Sequence, residues 1–290
     1  MVIAIYGNKY QSEHLNELNE FFGILSHHND VKVLMEYTFY NYLCRVLPSQ
    51  PVVADVIKGD NFTADLALSI GGDGTFLRTA QWVSDKAIPI LGINTGHLGY
   101  LADVHITEAA TAIDDIISGK YQIEQRSLIE VLSEGTKIEG WQYALNEVAI
   151  LKQDTASMIS MHTEIDGVKL ATYLGDGLII STPTGSTGYN LSVGGPILEP
   201  CTPNWVISPI AAHSLTMRPL VISNNRELSI TTTSRSNSYR LSLDGRSTTL
   251  PEGSTIKLRK AQFTIHVVQR PGHHFTETLR NKLLWGIDNR

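Results

Sequence analysis

"ADLALSIGGDGTFLRTAQWVSD", residues 64–85, holds the pattern on which the fold turns. An apolar run, residues 66–70, ends in three glycines set around Asp73, and a helix-like spacing starts after Thr75. A strand that feeds a helix through a short turn is the repeating unit of an α/β sheet. In such sheets ligands bind beyond the carboxyl ends of the strands. Gly71, Gly72 and Gly74 allow positive φ and close approach of a ligand to the backbone. The following helix would aim its free N–H groups and positive dipole end into the same space, which is a phosphate cradle. Arg78, one turn on, can add a fixed positive charge or lie on a solvated helix face. Asp73 has two readings on local physics alone, a helix cap or turn former, or a group that acts on a bound ligand.

The flanking sequence repeats the alternation. "VIAIYG" (2–7), "VKVLME" (31–36) and "AIPILGIN" (87–94) read as strands. "SEHLNELNEFFGIL" (12–25), "TFYNYLCRVL" (38–47) and "TEAATAIDDIISG" (107–119) read as helices, with Leu15, Leu18, Phe21, Phe22 and Leu25 on one face of the first and Gly119 closing the last. Past residue 120 the texture changes. "KYQIEQRSLIEVLS" (120–133), "GWQYALNEVAILK" (140–152), "SMHTEIDG" (160–167), "RELSITTTS" (226–234), "SYRLSLDG" (238–245) and "STIKLRKAQFTIHVVQ" (254–269) are strand-like, punctuated by Asp166-Gly167 and Asp244-Gly245. "TTTSRSNS" (231–238) reads as an exposed, mobile loop. "TETLRNKLLWG" (276–286) is a closing helix with Leu279, Leu283 and Leu284 on one face. The expectation is an α/β N-terminal domain with a parallel, Rossmann-like sheet over 1–122, rejoined by a C-terminal helix within 273–290. A mainly-β domain of packed sheets is expected over 123–272.

Charge and cysteine usage narrow the function. With 29 acidic and 23 basic side chains in 290 residues, the formal charge is −6, which argues against nucleic acid as a partner. Any anion site must therefore be built locally, from backbone N–H groups, helix ends or a metal. The two cysteines, Cys44 and Cys201, are far apart and form no zinc spacing. No leader pattern or membrane-spanning run is evident, so a cytoplasmic protein is expected. His273-His274 beside Pro271-Gly272 reads as a turn.

A second unusual stretch is "YLGDGLIISTPTGSTGYNLSVGGPI", residues 173–197. Its strand runs into a segment dense in hydroxyls, an amide and small residues, which can bind a nucleoside without net charge. The alternative is a polar loop leading into a capped helix. Ser186 lacks the first glycine of a hydrolase elbow. Asn146-Glu147 interrupts the apolar run "YALNEVAIL", where a buried unpaired amide and carboxylate would be costly. In a regular strand their side chains face opposite ways, so a shared ligand requires the strand to start or bulge there. Otherwise Glu147 lies on an edge strand in solvent.

"GGDGT" (71–75), "NE" (146–147) and "GDGLIISTPTGSTGYNLSVGGPI" (175–197), in this order, resemble the NAD kinase family over essentially the whole chain. The first motif alone also looks like the loop of diacylglycerol, sphingosine and 6-phosphofructokinases. The resemblance implies transfer of the ATP γ-phosphate to the 2′-hydroxyl of the adenosine ribose of NAD, giving NADP, with the nucleotide between two domains. It implies a divalent metal ion, usually Mg2+, whose ligands are unknown, and a homodimer or homotetramer. It makes Asp73 the general base and Gly74 a phosphate contact. Arg78 matches a nucleotide-binding basic position. Asn146 and Glu147 match the pair at the NAD ribose. Asp176, Thr184, Thr187, Gly188, Tyr189, Asn190, Leu191 and Ser192 match the nucleoside-binding segment. Gly188 stands where alanine is usual, and Leu174 and Ser157 stand where several members carry a basic or imidazole group. A lipid kinase and a non-catalytic cofactor sensor are the competing readings. On the sequence alone, Asp73→Asn is expected to leave the fold nearly intact.

Overall fold

The computed structural model describes residues 1–9, 12–96, 99–154, 157–272 and 274–286. The chain divides into two compact units, Met1–Gln125 together with Ile265–Arg290, and Arg126–Thr264.

In the first unit the strands are β1 (Val2–Gly7), β2 (Lys32–Glu36), β3 (Asp55–Ile57), β4 (Leu66–Ile70), β5 (Ile90–Asn94) and the short β6 (Val104–His105). The helices are α1 (Leu15–Ser26), α2 (Tyr37–Val46), α3 (Asp73–Val83) and α4 (Ala109–Ile117). The sheet runs β3-β2-β1-β4-β5, and every one of these pairs is parallel. β4 and β5 are buried at each position, which is why they read as unbroken apolar runs rather than alternating ones. α1 buries Leu18, Phe21, Phe22 and Leu25, each contributing roughly 1.5–3 kcal/mol. The order of the strands reverses between β1 and β4, and both strands end in glycine-bearing turns there. That switch point is where an open α/β sheet leaves a crevice.

The second unit is antiparallel. Its strands are β7 (Gln122–Glu134), which starts in the first unit, β8 (Tyr143–Ala144), β9 (Glu147–Lys152), β10 (Ile159–Ile165), β11 (Val168–Gly175), β12 (Gly177–Ser181), β13 (Asn204–Ile210), β14 (Leu220–Ser223), β15 (Leu228–Ser234), β16 (Ser238–Leu243), β17 (Arg246–Pro251) and β18 (Thr255–Gln269), which ends in the first unit, with a single helical turn α5 (Tyr189–Ser192). One sheet has the order β14-β13-β12-β9-β16-β17, and a second array runs β11-β10-β15-β18. Their inner faces share a core that includes Trp205, Tyr239, Leu178, Ile180 and Ile230. Both Asp-Gly pairs make two-residue hairpins. Asp166, Gly167, Asp244 and Gly245 all have positive φ, as such turns require.

Residues 231–238 depart from the expected loop. Thr231–Ser234 complete β15, Thr232 is fully buried, and only residues 235–237 turn between β15 and β16. Of the two readings that overlap at residues 231–234, the strand holds, as a run rich in β-branched side chains with regular in–out alternation. β18 returns the chain to the first unit, where Val267 pairs with Ile90. The closing helix, α6 (Phe275–Leu283), stops one residue short of Leu284, which is exposed and left-handed. His273 lies outside the described residues, as does the end of the expected C-terminal segment. No helix among the described residues is long and apolar enough to cross a membrane.

Candidate functional site

The turn after β4 holds Asp73 in an unexpected way. Gly72 is the N-cap of α3, with no side-chain cap, and Asp73 is the first helical residue. Its carboxylate turns away from the helix. Oδ2 accepts from the Tyr100 N–H at 2.8 Å, and Oδ1 accepts from Leu101 at 2.9 Å and Ala102 at 3.1 Å. Asn94 steadies that segment, donating from Nδ2 to the Ala102 carbonyl at 3.3 Å and accepting from the Gly96 N–H at 2.6 Å. A carboxylate offers about four acceptor sites, so three bonds leave one free, on Oδ2.

Of the three glycines, Gly71 alone requires its lack of a side chain. Its φ is +145°, and a Cβ there would lie 2.5 Å from Thr75 Oγ1. Gly72 and Gly74 are exposed with open space at the Cβ position. Arg78 is exposed and donates to Thr75 Oγ1 at 3.4 Å. It lines a cavity of about 230 Å3 at the switch point together with Tyr6, Gly7, Asn8, Lys9 and Glu36. Burial raises the Tyr6 phenol there, and the Arg78 charge partly opposes the rise.

In the second unit, β9 begins at Glu147, so Asn146 lies just outside the ladder. Strand alternation therefore does not separate the two side chains. A Cβ on Gly188 would lie 3.4 Å from Glu147 Oε2 and 3.7 Å from Asn146 Nδ2. Asn146 Oδ1 and Glu147 Oε2 are both shielded from solvent without a hydrogen-bond partner, a state that costs free energy until a ligand supplies donors. Burial pushes the Glu147 carboxyl up to about 7, with the Asp244 charge adding to it. Near neutrality such a carboxyl can either donate to or accept from a ligand hydroxyl.

The elevation has a measurable sign. The folded state holds the Glu147 proton over a pH range where the unfolded chain has released it. Stability from this group is present below about pH 4.5 and is lost as pH rises through about 7, a change of about 3 kcal/mol. Glu147→Gln should therefore melt several degrees higher relative to wild type at pH 8 than it does at pH 5. A gap between the two melting curves that stays constant across that range would contradict the assignment.

Asp244, read from the sequence only as a hairpin residue, holds the pair in place. Its Oδ2 accepts from Leu145 N–H at 2.7 Å, and its Oδ1 accepts from Asn146 at 2.8 Å and Glu147 at 3.1 Å. Burial raises its carboxyl, while the three N–H bonds and the Arg246 charge work against that rise. Thr182 ties the same stretch to the next loop, its Oγ1 donating to the Leu145 carbonyl at 2.5 Å and its N–H to Asn146 O at 2.9 Å.

The hydroxyl-rich segment forms two single turns, Thr184–Thr187 and α5. Buried Arg126, another residue the sequence did not signal, donates to Thr184 Oγ1 at 3.2 Å. Thr187 donates back to Thr184 O at 3.4 Å. Asn190 is fully buried and committed internally, with Nδ2 donating to Ser186 O and Pro196 O and Oδ1 accepting from Ser208 Oγ at 2.6 Å. It braces the loop. Tyr189 and Ser192 are exposed, and Leu191 is half-buried. Asp176 stands apart. It precedes β12 and pairs with Lys152 at 2.7 Å, whereas Thr184–Ser192 follow β12, roughly 20 Å away at strand rise. Ser157 and Leu174 share a cavity of about 590 Å3 with Arg235 on its wall.

Close packing makes two neighbouring glycines unequal. A Cβ on Gly185 would come within 2.1 Å of the Asn146 carbonyl oxygen, a backbone atom. On Gly188 the nearest contact would be 3.3 Å. If this segment holds the nucleoside expected from the sequence, Gly185→Ala should raise KM at least tenfold by displacing Asn146, and Gly188→Ala should stay within about threefold of wild type, since small readjustments cost under about 1 kcal/mol. Steady-state kinetics on both variants checks this.

Residues 3–121 match the family model described as the ATP-NAD kinase N-terminal domain, and residues 145–270 match the ATP-NAD kinase C-terminal domain. The chain belongs to the NAD kinase family. It is 44% identical to the NAD kinase of Bacteroides fragilis over 290 residues, covering all of both chains. Among solved structures, an NAD kinase from Archaeoglobus fulgidus in complex with ATP has a TM-score of 0.73 at 25% identity, with 98% of this chain and 97% of that one covered. The yeast NADH kinase complexed with NADH reaches a TM-score of 0.88 at 23% identity, covering 100% of this chain and 89% of that one, and shares the fold. The expected α/β domain with a parallel sheet and the mainly-β domain are both present, as family members have them.

Proposed function

We propose that the protein transfers the γ-phosphate of ATP to the 2′-hydroxyl of the adenosine ribose of NAD, making NADP, with Asp73 as the general base. Relatives named NAD kinase support the acceptor, and the ATP complex of the Archaeoglobus enzyme supports the donor. The observation that carries the base assignment is the geometry of Asp73. Three backbone N–H groups fix its carboxylate while one lone pair on Oδ2 remains available. A fixed carboxylate within hydrogen-bond reach of a ribose hydroxyl takes its proton as the oxygen–phosphorus bond forms, an effect worth ~10²–10⁴-fold. The rest of the reaction needs positioning and charge neutralisation.

Gly74 and the first turn of α3 would face the phosphates, with Arg78 beside them. Asn146 and Glu147 would take the ribose hydroxyls, their unpartnered buried oxygens supplying the acceptors. Thr184, Thr187, Gly188, Tyr189, Leu191 and Ser192 would form the nucleoside wall, with Asn190 bracing it. Among the described residues no three carboxylate, imidazole or thiol groups converge into a cation cage. We therefore write Mg2+ as part of the substrate, carried on the ATP phosphates, as this weakly dehydrating ion commonly is. Asp176 is assigned to the dinucleotide at a distance from this group, in keeping with a homodimer or homotetramer in which copies complete one another's sites.

The test is direct. Purified protein is incubated with NAD, ATP and Mg2+, and NADP is read with an NADP-specific dehydrogenase. NADP formation above the blank is expected. NAD binding without NADP formation would instead make the protein a sensor, and phosphorylation of a lipid but not of NAD would make it a lipid kinase. Light scattering reads the oligomer.

A further inference from the structure

Lys282 lies on α6, near the end of the chain's return to the first unit. Its Nζ is shielded from solvent, and no hydrogen-bond acceptor among the described residues meets it. The ammonium sits 5.6 Å from the centroid of the Tyr100 ring. Tyr100 is also the residue whose N–H donates to Asp73 Oδ2 at 2.8 Å. Burial pushes the Lys282 ammonium below the ordinary lysine range, and the carboxylates of Asp103 and Asp73 act against that shift. A desolvated cation with three unused donors therefore stands beside the carboxylate that the phosphate turn presents.

Neither a packing role nor an ion pair explains this placement. A ring contact recovers only a small part of the cost of burying a charge. Of the two nearby carboxylates, Asp73 directs both oxygens at backbone N–H groups. Asp103 does not meet the ammonium at hydrogen-bond distance either. A stem that only needed to fill space would be better served by methionine. An unfilled ammonium instead suits an anion that arrives from outside, and the turn at Gly71–Thr75 is built for a phosphate.

We propose that Lys282 is a phosphate-binding residue whose ammonium donates to a phosphate oxygen of the nucleotide held at the Gly71–Thr75 turn. The inference rests on the kinase reading above. It gives this acidic chain a second fixed positive charge at the turn besides Arg78, delivered from the far end of the sequence. Because that charge is buried, salt would screen it less than it screens exposed Arg78.

Lys282→Met and Lys282→Arg, compared with wild type, decide the matter. The methionine variant should melt at or above the wild-type temperature, because a neutral side chain of similar shape relieves the buried charge. Its kcat/KM for Mg2+–ATP should fall about 10- to 100-fold, the range of one charge-assisted hydrogen bond. NAD affinity measured calorimetrically without ATP should change less than twofold. The arginine variant, which keeps the charge, should recover much of the lost kcat/KM. A folded methionine variant with kcat/KM for ATP within threefold of wild type overturns the proposal. So does a variant that melts several degrees lower with unchanged kinetics per folded molecule, which would mark a structural lysine. Should the methionine variant fail to melt cooperatively, Lys282→Gln replaces it under the same criteria. A wild-type protein that makes no NADP removes the kinase reading instead, and calorimetric ATP binding by wild type and variant then still reports on Lys282.

Discussion

Asp73→Asn should lower NADP formation at least a hundredfold and should also weaken the fold. On the base assignment, the kinetic loss follows from removing the carboxylate that would accept the ribose proton. The structural loss comes from the three N–H bonds that the carboxylate receives. An asparagine oxygen can keep Leu101 and Ala102, but its amide then faces the Tyr100 N–H, leaving one donor opposite another. That costs about 1–3 kcal/mol. The sequence alone suggested a fold left nearly intact, and the bonds to residues 100–102 revise that expectation. Turnover by the coupled assay, NAD affinity by calorimetry and a thermal melt separate the effects. A folded variant that binds NAD with near-normal turnover would end the base assignment.

Asp244→Ala should damage the second unit severely. It strips the acceptor from Leu145, Asn146 and Glu147 together. Three N–H groups lose their partner at the start of β9, at a cost of about 3–5 kcal/mol even with some water entering. Asparagine should cost less, since one oxygen can still serve the two donors that meet Oδ1, and the carboxylate's charge is itself disfavoured by burial. The asparagine variant should also flatten the pH dependence that Glu147 imposes, because the Asp244 charge is one cause of its elevation. Melting across pH 5 to 8 reads both effects. NAD affinity should fall in step with the alanine variant's disorder at Asn146 and Glu147, and an alanine variant that melts like wild type would show that the three N–H groups find other acceptors.

How much of this was legible depends on what kind of partner each residue has. Strand and helix periods in the first unit are carried by side chains that all face one core, so the alternation of β1, α1 and β2 stands out in the letters. Asp-Gly hairpins announce themselves because few other pairs tolerate positive φ twice in succession. β15 is legible as a strand over 226–234, but its last four residues also pass for a loop, because threonine looks polar in a composition count while behaving as a branched strand former in a ladder. The glycines and Asp73 were visible as a site, but their support was not. Asp73 is bound 27 to 29 residues onward, and Asp244 reaches back 97 to 99 residues. Both bind backbone N–H groups, which any residue but proline possesses, so no letter marks the receiving position. Lys282 was passed over for a related reason. α6 was read for its leucines, and a lysine on a short helix near a terminus is ordinarily solvent-facing.

The return of the chain from Thr264 to Ile265 has a temporal consequence. Synthesis proceeds from the N-terminus at about 5–20 residues per second. The middle unit is therefore complete on the ribosome while its predecessor still lacks the edge partner that Val267 gives Ile90. The domain begun first is finished last. On the proposed roles, a nascent chain acquires its nucleoside wall early and its full grip on phosphate only once Lys282 has been added.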